Sequence, residues 1–353
     1  MMNEDAGARA VSASVDLAEA DLGAYVTFLQ PTVGAVVAGF GDGSLRIFPL
    51  DEGLRGLIKI ADLGATPLAA CGDLDSAAAL VGTDDGRLLR ATVEGVQGAL
   101  ARVDGAWVDH IAVSTRAKLR AFGAGRAVHV IAADGMPVSV LDDHPSTVAG
   151  LAFAPDGASI AVAHYDGVTV WPLAGTPRPE RLAWHGSHIA LAWSPDGHYI
   201  VTAMQDKEMH CWRMADRRGM RMSGYPKKIR SLSWTADSQY LAASGADTVT
   251  SWGFMGGGPG GKPPLEFGYV FNGTVTAVAA SPKRRIVAGG YDDGTVLIGD
   301  IEKGDAIIAR PAGGATVTAL AWSQDGACVV AGTERGELAL IRVSADALAP
   351  VAA

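Results

Sequence analysis

The stretch VAGLAFAPDGASIAVAHYDGVTVWPL, residues 148–173, is followed after a short link by HIALAWSPDGHYIVTAMQDKEMHCWRM, residues 188–214. Each reads as an apolar strand, a polar turn, a second strand, a turn containing Asp, and a third strand ending near Trp. The alternation of apolar and polar residues has the period of two that half-buried strands require. Two copies about forty residues apart make an internal repeat, and a period of 20–50 residues signals a solenoid or propeller.

The same frame extends over the whole chain. The turn between the second and third strands carries Asp42, Asp85, Asp166, Asp206, Asp247 and Asp293, with Gly125 and Arg335 in the two remaining slots. Candidate outer strands lie between the units at 57–62, 137–142, 220–224 and 306–310. Four strands per unit make a propeller blade, so the sequence predicts an all-β, eight-bladed propeller. The last unit ends near Val343 without an outer strand. The alternating segment VSASVDL, residues 11–17, is predicted to supply it, because closing the ring removes an edge that invites aggregation. The expected organisation is a flexible N-terminus over 1–10, one propeller over 11–343 and a tail over 344–353.

Composition fits that reading. Of 353 residues 48% are hydrophobic and 19% charged, enough apolar material for a packed core. The net charge of −9 argues against a surface that coats nucleic acid. Cys71, Cys211 and Cys328 are far apart and show no CxxC spacing, against a disulfide framework or a zinc knuckle. A reducing, cytoplasmic setting follows as an expectation. The acidic N-terminus lacks a secretory pattern, and no uninterrupted apolar run is long enough to span a bilayer.

The motifs LAFAPDG (151–157), LAWSPDG (191–197), LAWSQDG (320–326) and DGVTVW (166–171), with the Asp206–Trp212 spacing, resemble the WD40-repeat family. The chain departs from the family in having no Trp-Asp dipeptide. The resemblance implies a non-enzymatic protein-interaction scaffold, without a cofactor, acting as a monomer. It also implies a structural tetrad of loop His, strand Ser/Thr, turn Asp and Trp. His185, Thr202, Asp206 and Trp212 match that tetrad, and His144, Asp166 and Trp171 match it in part. A narrower resemblance, through WHGSH and MRMSGYPKKIRSLSW, is to bacterial (alphaproteobacterial) WD40 proteins found beside genes for metal-handling GTPases and zinc uptake. It implies a GTPase of that kind as one candidate partner, and an accessory role in zinc homeostasis as an alternative function.

In a propeller the loops carry function, because the strands are committed to the fold. Loops that follow an outer strand, and turns between second and third strands, share one end, here the top. His164 and His188 fall on top-face loops outside the tetrad positions and are the candidate metal ligands, although two ligands are too few for a structural zinc site. A basic run supplies candidate partner-binding residues: Arg217, Arg218, Lys227 and Lys228, joined by Lys283, Arg284 and Arg285. Arg217, Arg218 and the 283–285 group are expected on the bottom, where they would receive an acidic partner or remain a solvated surface. RNA is disfavoured, because interleaved aromatics for base stacking are missing. Met204, Met209, Met214, Met220, Met222 and Met255 fall in the same region, and most of them read as blade core. GGGPGG, 256–261, is not a phosphate loop, since Lys262 is followed by Pro263; it reads as a flexible bottom loop. No GxSxG or HExxH signature is present, so an enzyme with a loop-built site is the remaining alternative.

Overall fold

The computed structural model describes residues 15–55, 59–175, 178–344 and 347–348. The described residues are almost entirely strand and turn, with one short 3-10 helix at Gly53–Arg55. Strands form where apolar residues alternate or run together. Ala35–Phe40, Ala78–Thr83, Tyr199–Met204, Ile286–Tyr291 and Cys328–Thr333 are buried at every position, as expected for second strands covered on both faces. Seven of the eight turn positions read from the sequence fall between second and third strands, and Asp166 lies within Ser159–Pro172, so the repeat frame is in register.

The hydrogen bonds correct the expectation of eight separate blades. The strands form seven sheets, six of four strands and one of six, so that counted by continuous sheets the propeller is seven-bladed, not eight-bladed. The cause lies in the fourth and fifth sequence units. Ser159–Pro172 and Glu180–Trp193 are each unbroken over 14 residues. Glu180–Trp193 pairs through its first residues with Ser159–Pro172, and from His188 onward with Tyr199–Met204. The link between these two units is therefore itself strand, and it welds them into one sheet.

The ring closes through the N-terminal strand. Val15–Asp21 pairs antiparallel with Glu337–Val343, from Val15 opposite Val343 to Asp21 opposite Glu337. The described part of this outer strand continues four residues past its expected end at Leu17, to Asp21, and residues 11–14 lie outside the described residues. Val15 and Leu17 point into the core shared with Ile298, Ile341 and Val343. Glu19 bonds Arg310 of the preceding sheet at 2.7 Å, and Arg310 also holds Glu337 at 2.8 Å. At the seam between the last and first sheets, a Cβ on Gly332 would meet Val26 at 2.6 Å, so only glycine permits that approach. Of the tail, Ala347 is buried against the same core.

The cores lie between neighbouring sheets rather than at the axis. One cluster joins Phe40 and Phe48 of the first sheet to Val330 and Leu340 of the last. Met209, Met220 and Met222 pack with Tyr225 and Trp252, which places these methionines in the core as the sequence suggests.

One polar clamp supplements this packing. Asp73 has a fully buried carboxylate that accepts hydrogen bonds from Arg120 at 2.6 and 3.0 Å and from Arg90 at 2.8 Å. Burial opposes its charge, but these bonds outweigh it and hold the Asp73 carboxyl below the ordinary range. Removing one partner of a buried pair leaves the other charge uncompensated, at a cost of about 3–5 kcal/mol. Asp73→Ala is therefore expected to lower stability by that amount in urea titration, with the midpoint shifted and the slope unchanged. Asp104→Ala, which removes the exposed Arg102 pair, should cost no more than a few tenths as much.

Candidate functional site

The two ends of the propeller differ in chemistry. Among the described residues, the exposed aromatics are Tyr25, Trp107, Tyr165, Tyr269 and Phe271. All five lie at the top: Tyr25, Trp107, Tyr269 and Phe271 follow outer strands, and Tyr165, within Ser159–Pro172, lines a recess with Asp109 and Ser146 from loops that follow outer strands. The exposed aliphatic residues and methionines, such as Val33, Met136 and Met255, lie at the bottom or on outer strands. The top loops also hold more than twice as many acidic as basic residues.

Several turn aspartates are spent on the fold. Asp42 accepts from the Ser44 backbone and hydroxyl and from Arg46 at 2.9 Å, and its carboxyl is held below the ordinary range. Asp85 accepts from Thr83 at 2.6 Å and Arg87 at 2.7 Å. Others remain open. The Asp109 carboxylate, two-fifths exposed, has among the described residues one ion-pair contact, to His110 at 3.8 Å. Beside it the mouth of the central channel forms a recess of about 440 Å³, with Asp109, His110, Ser146, Tyr165, Ser187 and His188 in its lining and no lysine or arginine. Deeper in the channel, a cavity of about 340 Å³ is lined by Asp109, His110 and Arg230.

Beneath the top surface lie three buried histidines with fixed tautomers. Trp171 donates its indole N–H to Nε2 of His144 at 3.0 Å, and Nδ1 of His144 donates to the Arg126 carbonyl at 2.8 Å. His164 donates from Nδ1 to the Tyr165 carbonyl and accepts from the Thr169 hydroxyl at Nε2, both at 2.7 Å. His188 donates from Nε2 to the Trp184 carbonyl at 2.9 Å and accepts from Thr202 at Nδ1 at 2.7 Å. Burial keeps all three neutral by lowering their pKa values.

These contacts redistribute the residues read from the sequence. His144 and Trp171 are brought together. Thr202 is bonded by His188, not by His185. His185 is turned to solvent and meets Asp166 at 2.8 Å. The candidate metal ligands His164 and His188 already use both ring nitrogens. Among the described residues no three His, Cys, Asp or Glu side chains gather in a way that could hold a metal ion. Sequence reasoning missed Tyr225, whose hydroxyl accepts from the Trp252 indole at 2.7 Å and bonds Thr250 at 2.8 Å. The signal was present, because His144–Trp171 and Tyr225–Trp252 share a separation of 27 residues. The same separation picks out His185 with Trp212. It fails there because Glu180–Trp193 runs as strand and leaves no loop to fold His185 inward.

The basic residues are divided between the ends. Arg217, Arg218, Lys283, Arg284 and Arg285 lie at the bottom, whereas Lys227 and Lys228 lie in a top loop. Arg217 is paired with Glu180 at 2.6 Å, and Arg285 with Asp237 at 2.6 Å and with Glu302 at 2.5 Å. Arg213, in the same run, is paired with Asp216. Much of the bottom charge is thus balanced within the molecule.

Comparison with known proteins agrees with the architecture. The family model "WD domain, G-beta repeat" matches residues 135–170, 180–213 and 265–300. Bovine coronin-7 is 33% identical over 122 residues, which cover 32% of this chain and 13% of coronin-7. WD repeat-containing protein 1-B of Xenopus laevis is 26% identical over 142 residues, 37% of this chain and 23% of that protein. The matches thus span under a quarter of these much longer relatives. A computationally designed protein, Ika8, superposes with a TM-score of 0.73 at 21% identity, over 92% of this chain and 98% of that one. Three of its repeats match the WD40 family model and its strands are arranged as radial sheets, so the chain is a β-propeller that carries WD40-type repeats.

Proposed function

We propose that this propeller is a non-enzymatic scaffold that docks another protein through its top end. The observation that carries the reading is the confinement of all five exposed aromatics to that end among the described residues. Aromatic side chains dominate the energetics of protein interfaces, and a surface that concentrates them at one end has an end suited to docking. The WD-repeat relatives support a binding role. A metal-handling GTPase is the specific partner that the family resemblance implies, and a monomeric, cytoplasmic scaffold is part of the same proposal. The zinc alternative finds no support at His164 and His188, whose ring nitrogens are occupied.

The test places a photo-crosslinking residue at Trp107, Phe271, Arg218 or Lys283 in the intact protein within its native cells. The expected result is a discrete heterologous adduct from the two top positions and none from the two bottom ones. Adducts confined to the bottom positions, or none from the top, would overturn the proposal.

A further inference from the structure

We infer that the occupant of the top end is a lysine- or arginine-rich segment, one of whose cationic side chains enters the channel mouth between Tyr165 and Asp109. The inference rests on the docking role proposed above and adds the chemistry of the partner. Three features of the same surface converge on it. The top loops carry a clear acidic excess, so the potential there attracts positive charge and repels negative charge. The recess at the channel mouth is lined by a carboxylate and an exposed phenol ring, and no lysine or arginine of this chain lines it. Asp109 is an open acceptor, since among the described residues its one ion-pair contact is to His110 at 3.8 Å, and burial lowers the His110 pKa and favours the neutral imidazole. A guanidinium or ammonium entering the recess gains a charge-assisted hydrogen bond to Asp109. It can also lie against the Tyr165 face, an attraction that strengthens as water is excluded.

The volume suits this occupant. About 440 Å³ admits one long side chain with some backbone, and is small for a folded element. Trp107 follows Asp104 and precedes Asp109 in one loop, so an apolar contact is flanked by carboxylates along the rim. Tyr269 and Phe271 offer further flat contacts at the same end, to the segments that flank the anchoring residue. Arg230, deeper in the channel, limits how far a cation can penetrate and places the charge pairing at the mouth. The opposite end fits an acidic partner less well, because Arg217 and Arg285 are already neutralised by Glu180, Asp237 and Glu302.

The probe is a set of short fluorescent Gly/Ser peptides carrying either arginine or glutamate at the same positions. Binding to the intact protein is followed by polarisation at low and at physiological salt. The arginine peptide is expected to bind at least about tenfold tighter than the glutamate peptide, and to weaken as salt rises and screening shortens to about 8–10 Å. Asp109→Asn and Tyr165→Ala should each weaken it by about tenfold, whereas Arg218→Ala and Lys283→Ala should leave it unchanged. If Asp109→Asn does not fold, Tyr165→Ala and Trp107→Ala, at exposed positions, decide the matter. Equal or tighter binding of the glutamate peptide, or arginine binding that ignores the top substitutions, would overturn the inference. Adducts at Trp107 or Phe271 together with such a result would leave the docking reading standing and remove only the basic partner. Their absence would remove both.

Discussion

A chain that starts at Leu22, without Val15–Asp21, is expected to lose about 5 kcal/mol or more of stability and to aggregate at concentrations where the intact protein is soluble. Three losses add to this. The seven-residue ladder to Glu337–Val343 disappears and exposes an apolar edge, a template for pairing with other chains. Val15 and Leu17 leave the core, at about 1 kcal/mol each for half-buried side chains. Arg310, largely buried, loses Glu19, and an uncompensated buried charge is costly. Thermal melting and light scattering of the truncated and intact chains check the result. Adding Val15–Asp21 back as a separate peptide should restore part of the melting temperature. An unchanged melting temperature in the truncated chain would show that the ring does not depend on this strand.

The second large effect is acid lability above the range where carboxylates titrate. His144, His164 and His188 are buried and held neutral, and they are joined by His210. His210 lies between the rings of Trp184, stacked at 3.8 Å, and Trp212, edge-on at 4.4 Å, and neither ring nitrogen has a partner. Burial in that sandwich pushes its pKa down to about 3 from an ordinary value of 6.5. A base whose folded pKa is depressed binds more protons in the unfolded chain. Its contribution is therefore fully present above pH 6.5 and is lost as pH falls towards the folded value. At about 1.4 kcal/mol per pH unit, His210 alone accounts for about 3 kcal/mol between pH 6.5 and 4. Below about pH 4 the carboxylates with lowered pKa values, Asp73 and Glu337 among them, add a loss of the same sign. Urea titrations at several pH values should show stability falling from pH 6.5 downward. His210→Leu should be less stable at neutral pH but shallower in its pH dependence. A variant with the wild-type slope would remove His210 as a source of the effect.

Local pattern made the repeat legible. Alternation defined the strands, the Asp-bearing turns fixed their register, and a missing outer strand at the C-terminal end pointed to the N-terminus. Those are properties of ten or twenty neighbouring residues. The closing strand continues past its expected end at Leu17 because the alternation runs on through VDLAEAD, all of which pairs with Glu337–Val343. His185 was assigned inward on spacing alone, whereas the strand-like link after Glu180 holds it in solvent. The basic residues read as a free patch because the acids that neutralise them are distant in sequence. Glu180 lies 37 residues from Arg217, and Asp237 lies 48 from Arg285.

The sequence by itself determined that this chain is a β repeat protein closed on itself, because strand period, turn chemistry and repeat length are encoded locally. Only the tertiary structure decided how many continuous sheets the repeats make, since whether a link is loop or strand depends on hydrogen bonds to both neighbours. It also decided which end of the propeller is fit to bind. Tyr25, Trp107, Tyr165, Tyr269 and Phe271 are scattered over some 250 residues, and radial packing of the sheets brings them to one end. Asp109 is one aspartate among many until the inner strands leave it facing a recess without a cation.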